Sequence, residues 1–448
     1  MYITKVNFFY LRYVAICHIN SRKDTRYFSK FTLVCIPKQI TTHREQKRVK
    51  VAFIGMMNLL DRFSGAALSA RSFIETLAAA GHDCRSYTTS SFDTSAHVSL
   101  TVAIGPGAED NKHQGKLITL TKSGVRHDLF VTSHTDRQKV TAKEWQKFAG
   151  IGISWIKENP ADIYITYGNN SFTKILQSTA RMSGAKIVFY LGNAAYQHRD
   201  NIEPCDVVVC PSLFLANYYE KKLGLSTQVL RTIIPESRFL SKEQNIYRQH
   251  PEHRKQGFVT FFNPQFSKGL GLVVQLVIQA QKFAPDMRFL IVSGRTDHRA
   301  VAINGMALSD YPNVWCIDSQ EDVKSIYQRT SVLLLPSVVQ EAASRSIVEA
   351  QLSGIPVIAS SRGGNKERLN GGGSCLDLPP SYISNPQSVP ELEEIKPWLE
   401  QLMCLWDNKD TYSNACQRAI NASQAFRPEA VSKLSVDFFE QLIEDSKT

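Results

Sequence analysis

The sequence contains no long hydrophobic run, and none of its apolar stretches approaches the roughly eighteen residues that a membrane-spanning helix needs. Its content of 43% hydrophobic and 21% charged residues is ordinary for a globular protein in water. An integral membrane protein is therefore not expected. At 448 residues, the chain is long enough for two domains, each with its own core.

The sequence also lacks paired cysteines. Its nine cysteines are scattered singly, and the closest two, Cys205 and Cys210, are expected to lie together on one buried strand. An odd number with wide spacing argues against a disulfide framework and against a cysteine metal site. A reducing compartment is therefore predicted, and we expect the protein in the cytoplasm.

The positive charge is concentrated at the N-terminus. Residues 1–50 hold eleven Lys and Arg against two acidic residues, which leaves a body with 41 basic and 39 acidic residues. This nearly neutral body has no zinc finger, basic helix or RNA-binding aromatic motif, so no nucleic-acid partner is predicted. Residues 1–48 are predicted to be a disordered extension outside the fold, although a targeting segment or peripheral contact with an anionic membrane would also fit.

Strands and helices alternate after this extension. The apolar run 49–55 ends in glycine and precedes a helical pattern over 66–80, which Gly81 ends. Further buried strands are predicted at 162–168, 186–192 and 206–212. Such alternation is typical of an α/β fold with a parallel sheet, and we assign it to a first domain, residues 49–235.

A second series of strands and helices follows a polar stretch after Pro235, which we interpret as a linker. It predicts a second doubly wound, Rossmann-like domain over residues 236–425. The final segment, 426–448, is predicted to be a helix that packs back on the first domain. Residues 85–145 are expected to supply variable loops.

The most informative segment is LPSVVQEAASRSIVEAQLSGIPVIASSRGGNKE, residues 335–367. Its order of strand, loop, helix, strand and glycine turn places a helix N-terminus at the carboxyl end of a strand, where a diphosphate would be favoured. Glu341 and Glu349 would be about 12 Å apart in a continuous helix, too far to flank one glycosidic bond. They could instead bind the sugar and the ribose of one extended ligand, or be ordinary surface residues of a helix.

This segment resembles the E-x7-E signature of retaining GT-B glycosyltransferases, particularly glycosyltransferase family 4. The PS before it, EAQLSGIPVIAS within it, the GG-x-x-E ending at Glu367 and the later PWLEQLMCLWDN fit the same family. The resemblance extends over about residues 49–440 and implies two Rossmann-like domains facing a central cleft. It also implies that Glu341 binds the transferred sugar and Glu349 the ribose hydroxyls.

One departure from the family concerns the positions after the first glutamate. Where the family often has glycine, this chain has Ala343 and Ser344, followed by Arg345. Ser344 adds bulk, but its hydroxyl could donate a hydrogen bond. Ser344 and Arg345 are therefore expected to contact the donor.

The segment NPQFSKGL, residues 263–270, resembles the family's R-x4-K-G element. Lys268 would then stabilise the departing diphosphate, together with amides of a helix that Ser267 caps. Asn263, five places before the lysine, stands where the family has arginine, and Arg295 is a candidate for the missing charge. Both are expected at the donor.

The first domain offers weaker signals. The loop at Gly65 resembles the family's glycine turn facing the donor diphosphate, although it could simply be a turn. His82 is expected to be structural. The family often has histidine at the end of a later strand, where this chain has Gly192 and Asn193. The resemblance therefore implies that Asn193 and His198 contact the donor.

The resemblance implies transfer of a hexose from a nucleotide sugar to an acceptor hydroxyl, with retention and without a cofactor. The acceptor could be a carbohydrate, a lipid-linked molecule or another hydroxyl compound. No Asp-x-Asp motif is present, so a metal-independent reaction is predicted. The alternatives are a non-catalytic nucleotide-sugar-binding protein and a GT-B epimerase or phosphorylase-like transferase.

Overall fold

A computed structural model describes residues 48–93, 98–101, 113–200, 202–303 and 305–444. The predicted N-terminal extension lies outside these residues, apart from Arg48. Within the described ranges, every helix is too short or too polar to span a bilayer. The cysteines of these ranges are free thiols, as the scatter in the sequence predicted.

The strands are β1 Lys50–Ile54, β2 Asp83–Thr89, β3 Leu117–Lys122, β4 Val125–Phe130, β5 Ile163–Thr166, β6 Lys186–Tyr190, β7 Val207–Cys210, β8 Gln228–Val229, β9 Phe258–Phe262, β10 Arg288–Val292, β11 Ala302–Ile303, β12 Met306–Ala307, β13 Val314–Ile317, β14 Thr330–Leu335, β15 Val357–Ser360 and β16 Ser374–Leu376. The helices are α1 Gly65–Ala79, α2 Ala142–Glu158, α3 Ser171–Met182, α4 Leu213–Leu223, α5 Ile246–Gln249, α6 Leu270–Phe283, α7 Lys324–Tyr327, α8 Arg345–Leu352, α9 Asn365–Leu369, α10 Pro380–Ser384, α11 Leu392–Asp407, α12 Lys409–Ser423 and α13 Pro428–Glu444.

The first sheet has the strand order β3-β4-β2-β1-β5-β6-β7-β8. All neighbours are parallel except β3 and β4, which form an antiparallel hairpin at the edge. Without β3 and β8, the order is that of a Rossmann sheet, in which the direction of winding reverses between β1 and β5. Ligands of such sheets bind at the carboxyl ends of the strands beside this reversal.

The second sheet repeats the pattern with the order β13-β10-β9-β14-β15-β16, all parallel. Here the winding reverses between β9 and β14. The strand β14, TSVLLL, is buried on both faces, as a central parallel strand flanked by helices should be. Two Rossmann-like sheets in one chain confirm the predicted fold class.

Local signals set several element ends. Gly81 has φ 95° just after α1, the left-handed conformation that ends a helix most easily at glycine. His82 is buried, and its Nδ1 accepts from the Val49 amide at 3.2 Å, as its predicted structural role requires. Its Nε2 lies 3.2 Å from Glu440 in α13.

The structure corrects three details of the sequence interpretation. The segment 85–145 contains most of β2, the strands β3 and β4 and the start of α2 as well as loops. The pairing of β3 with β4 extends the edge of the sheet. The expected polar linker contains α5, and it buries Leu240 and Tyr247. Cys205 precedes β7, so only Cys210 lies on that strand.

The C-terminal helix α13 follows the second sheet in the chain but packs on the first. Its Val431, Phe439 and Ile443 belong to the hydrophobic core that includes Phe73 of α1. The rings of Phe439 and Phe73 lie 6.4 Å apart between centroids. The domain boundaries drawn from the sequence stay predictions, but the last helix clearly contributes to the core of the first sheet.

We expect Phe439→Ala to lower the free energy of unfolding by about 3–5 kcal/mol, because the side chain is fully buried and its removal leaves a cavity. Leu434→Ala, at a position of the same helix that is 62% exposed, should change it by less than about 0.5 kcal/mol. Urea unfolding of both variants measures the difference. Equal effects would contradict the packing of α13 against the first sheet.

Candidate active site

A cleft of about 700 Å³ lies where the carboxyl ends of the two sheets face each other. The first sheet contributes residues that follow β1 and β6, and the second contributes residues that follow β9, β10 and β14. Both points of winding reversal therefore open onto one cavity. The cleft lining includes Gly65, Asn193, Asn263, Lys268, Arg295, Glu341, Ser344, Arg345 and Glu349, nine of the ten site residues predicted from the sequence.

An ion pair joins the ends of β9 and β14. Lys268 Nζ lies 2.6 Å from Glu341 Oε1, and the Ser337 hydroxyl donates to the same oxygen at 2.6 Å. Burial raises the pKa of the Glu341 carboxyl, but the charge of Lys268 and the hydrogen bonds from Lys268 and Ser337 outweigh it and lower the pKa overall. Glu341 is therefore an ionised carboxylate whose charge is balanced by Lys268.

Backbone contacts explain why these two side chains meet. Gly269 has φ 94°, and a Cβ there would lie 2.1 Å from the Pro336 carbonyl oxygen, so only glycine allows the Lys268 turn to approach the end of β14. The Ser267 carbonyl accepts from the amides of Val338 and Val339 at 3.0 and 3.2 Å. The expected cap by Ser267 is wrong, because α6 begins after Gly269 and has no side-chain cap.

The glycine pair of the GG-x-x-E motif holds the backbone of Glu341. Gly364 donates its amide to the Glu341 carbonyl at 2.7 Å. Gly363 has φ 65°, and a Cβ there would lie 2.3 Å from the same oxygen. The two glycines therefore hold the backbone of Glu341 through close main-chain contacts, which a side chain at position 363 would prevent.

Glu349 is buried at the other end of the site and already has several partners. Arg238 binds both of its oxygens, Nε to Oε1 at 2.6 Å and Nη2 to Oε2 at 3.3 Å. Tyr327 donates its hydroxyl to Oε2 at 2.9 Å, and Arg345 Nε lies 3.7 Å from Oε1. Burial raises the pKa of Glu349, but the charges of Arg238 and Arg345 and the two hydrogen-bond donors lower it overall.

The helix α8 begins between the two glutamates. Residues 341–344 are not helical, so the pair is not carried by one continuous helix. Ser344 occupies the N-cap position but makes no capping bond, and its hydroxyl lies 3.0 Å from that of Ser346. The Arg345 side chain is 10% exposed, and its partial burial lowers its pKa to about 10 against the opposing charge of Glu349. It donates to the Ile233 carbonyl at 3.3 Å.

Asn263 and Arg295 belong to one loop arrangement. Asn263, with φ 61°, directly follows β9 and accepts from the Thr296 amide at 3.2 Å. This contact holds the loop after β10, where Arg295 Nη2 lies 2.6 Å from Asp93 Oδ2. Asp93 follows β2 of the first sheet, so the guanidinium reaches across the cleft to the opposite domain.

The first domain contributes fewer groups. Gly65 is the first residue of α1, and a Cβ there would meet no atom within 4 Å, so it borders open space. Asn193 is exposed, and its Oδ1 accepts from the Ala195 amide at 2.9 Å. His198 is exposed and is not among the residues that line the cleft.

One group of potential metal ligands among the described residues combines Asp297, His298 and Asp318. Arg299 Nη2 lies 2.7 Å from Asp297 Oδ2 and 3.0 Å from Asp318 Oδ1. His298 Nδ1 is 2.8 Å from the Ser293 hydroxyl. The arginine already neutralises both carboxylates, so this group does not resemble a site built for a cation.

Sequence reasoning missed four groups that shape the site: Arg238, Tyr327, Ser337 and Asp93. Ser337 could have been predicted from the sequence, because it belongs to the PS that precedes Glu341. The other three lie 22 or more residues from their partners in the sequence. Nothing in the local pattern around them indicates a partner.

Solved structures with the same arrangement of two sheets cover nearly all of this chain. The sucrose-phosphate synthase of Thermosynechococcus elongatus aligns with a TM-score of 0.64 at 15% identity, covering 89% of this chain and 100% of that one. HepE of Anabaena, solved in complex with UDP-glucose, aligns with a TM-score of 0.60 at 13% identity, covering 88% and 100%. WaaG, a glycosyltransferase involved in lipopolysaccharide biosynthesis, aligns with 0.60 at 16% identity, covering 87% and 99%.

No curated protein matches the sequence. The two facing Rossmann sheets place the chain in the GT-B class, as the resemblance predicted. Residues 254–388 match the family described as glycosyl transferases group 1. This segment includes Asn263, Lys268, Glu341 and Glu349. This part of the second domain is therefore similar to glycosyl transferases of group 1.

Two glycine variants separate backbone strain from the contact with Glu341. Gly371→Ala should lower the free energy of unfolding by about 1–2 kcal/mol, since its φ of 77° is left-handed but a Cβ there meets no atom within 4 Å. Gly363→Ala has the same strain plus the clash with Glu341, which should cost at least about 1 kcal/mol more. Urea unfolding measures both, and equal losses would contradict the close contact.

Proposed function

We propose that this protein transfers a hexose from a nucleotide sugar to an acceptor hydroxyl with retention of configuration, as family 4 transferases do. The observation that carries the proposal is the ion pair of Lys268 and Glu341, 2.6 Å apart at the point of winding reversal of the second sheet. A cation for a leaving phosphate and a carboxylate for a sugar hydroxyl thus stand side by side.

Lys268 is assigned to the departing diphosphate. Its side chain is 29% exposed, so it is accessible from the cleft. The helix α8 begins at the same cleft, and the Ser344 side chain makes no capping bond to the backbone amides of its first turn. Backbone amides at a helix N-terminus favour binding of a phosphate. Together they would stabilise the negative charge that develops as the glycosidic bond breaks.

Glu341 is assigned to the transferred sugar. Lys268 and Ser337 both contact Oε1, which leaves Oε2 as the acceptor for a sugar hydroxyl. The lowered pKa keeps the group an acceptor of hydrogen bonds at neutral pH. In this role Glu341 orients the hexose and does not attack it.

Glu349 is assigned to the ribose, although protein groups already occupy most of the hydrogen-bonding positions of its carboxylate. A carboxylate offers about four lone-pair positions, and Arg238 and Tyr327 already use three of them. One position remains for a ribose hydroxyl. Tight binding of both hydroxyls would require Arg238 to move.

Retention follows if the acceptor approaches from the face that the diphosphate leaves. Among the described residues that line the cleft, the carboxylates are Glu341 and Glu349, and each is held in an ion pair. The leaving phosphate oxygen is then the base that takes the acceptor proton. We propose that no metal ion or cofactor takes part, with Lys268 and Arg295 supplying the positive charge.

The donor to test first is UDP-glucose, because HepE, of the same fold, was solved in complex with it. A carbohydrate or a lipid-linked acceptor fits the proposal equally. The proposed location is the cytoplasm, with peripheral membrane contact through the basic residues 1–48.

A screen of UDP-, GDP- and ADP-sugars against a panel of hydroxyl acceptors should detect release of the nucleoside diphosphate. Lys268→Met and Glu341→Gln should each lower kcat at least about 100-fold, since each removes a group that acts on the breaking bond. Lys174→Met, at an exposed lysine of α3, should not. NMR of the product tests retention. Binding without turnover across the panel would favour the non-catalytic alternative and contradict the proposal.

Asp93 competes with the donor for Arg295. Asp93→Asn should lower the Kd for the nucleoside diphosphate by about two- to fivefold, a modest gain because the Arg295 side chain is 43% exposed and well screened. Arg137→Met removes the other cation near Asp93, 3.5 Å away, and should not improve binding. Calorimetry with the diphosphate found in the screen measures both. Weaker binding to Asp93→Asn would contradict a role of Arg295 at the phosphates.

A further inference from the structure

The helix α4 of the first domain begins against the segment that carries Glu341. We infer that Glu367 is a positioning residue: it bonds the start of α4 to the glycine turn that holds Glu341, and so fixes the two halves of the cleft relative to each other. This inference rests on the proposed function for its catalytic consequence. The coupling itself can be tested without any activity.

The central contact is a carboxylate at a helix N-terminus. Glu367 Oε1 accepts from the Leu213 amide and Oε2 from the Phe214 amide, both at 3.1 Å. These are the first two residues of α4, whose amides have no partner within their own helix. The donor domain thus supplies the anion for a helix that belongs to the other sheet.

The residue before that helix makes a second bond across the cleft. The Ser212 hydroxyl donates to the Ala342 carbonyl at 2.5 Å and accepts from the Leu215 amide at 3.2 Å. Ala342 is the neighbour of Glu341 in the chain, and it packs against the apolar cluster that includes Leu215. The N-cap of α4 therefore touches the backbone next to the proposed sugar-binding carboxylate.

A third bond lies beside the first two. Arg368 Nη2 donates to the Pro211 carbonyl at 2.7 Å. Its guanidinium is buried and lies 5.2 Å from the centre of the Phe426 ring. Glu367 and Arg368 thus bind adjacent groups of one short segment, residues 211–214, with opposite charges.

The short helix α9 links these contacts to Glu341. It begins after Gly364, whose amide bonds to the Glu341 carbonyl at 2.7 Å, and the Arg368 amide bonds to the Gly364 carbonyl at 2.9 Å. Glu367 is therefore one helical turn from the main-chain contact that holds Glu341. If α4 is released from Glu367, both the opening of the cleft and the place of Glu341 in it should change.

The expected consequence is a loss of rate without a loss of nucleotide affinity. The groups assigned to the donor, Lys268, Glu341 and Glu349, all belong to the second domain, so the nucleotide can still bind when the contact with α4 weakens. Transfer requires the acceptor held by the first domain to meet that donor, and small misplacements of reacting groups cost rate steeply.

The test compares Glu367→Gln with Lys366→Gln, a change of the exposed neighbouring residue in α9. In Glu367→Gln, amide hydrogen exchange should be about tenfold faster both in residues 211–216 and in residues 340–345. In Lys366→Gln, exchange in both segments should be unchanged. In the transfer assay, kcat should fall about tenfold or more in Glu367→Gln, while the Kd for the nucleoside diphosphate stays within about twofold. Glu367→Asp, which keeps the charge, should recover part of the rate.

Faster exchange in 211–216 alone, or in neither segment, would overturn the inference. Equal losses of kcat and of nucleotide affinity would also overturn it, because they would mean a general loss of structure. If the unmodified protein transfers no sugar from any donor, the proposed function fails. The exchange experiment would still decide whether Glu367 couples α4 to the Glu341 segment.

Discussion

The ion pair between Lys268 and Glu341 is the interaction on which the candidate site depends, because it brings together the ends of the two strands beside the point of winding reversal. Its side chains are only 29% and 15% exposed, so either charge alone would be costly to keep in place. Ser337 adds a hydrogen bond, and Gly269 and Gly364 provide the close backbone contacts that hold the pair. The same arrangement suits a ligand that brings both a phosphate and a sugar hydroxyl.

Charge in the cleft is balanced almost entirely by partners from distant parts of the chain. Arg238, which lies between the two sheets in the sequence, neutralises Glu349, and Asp93 of the first domain neutralises Arg295. A nucleotide sugar entering the cleft would therefore exchange partners with charged groups that are already paired. This exchange connects donor binding to the segments between the domains, through Arg238, and to the first sheet, through Asp93.

Four hydrogen bonds between the two domains cluster where α4 meets the Glu341 segment and α9. Each of these four joins a main-chain group of one domain to a side chain of the other. Main-chain partners are insensitive to side-chain identity, which explains why the sequence around Leu213 gave no hint of them. Only Glu367 was noticed, as part of the GG-x-x-E pattern, and its partner could not be deduced.

Local sequence patterns predict the two Rossmann-like sheets, the places of Lys268 and Glu341 after strand ends, the place of Glu349 on the helix that follows, and the glycine turn after β15. These follow from local rules, since apolar runs form parallel strands and loops at their carboxyl ends form the site. The hairpin of β3 and β4 lies in a segment for which the sequence predicts loops, because the edge strand β3 buries little and has no continuous apolar run. Which charges pair follows from the three-dimensional fold alone, since the energy of an ion pair depends on distance and burial and not on separation along the chain.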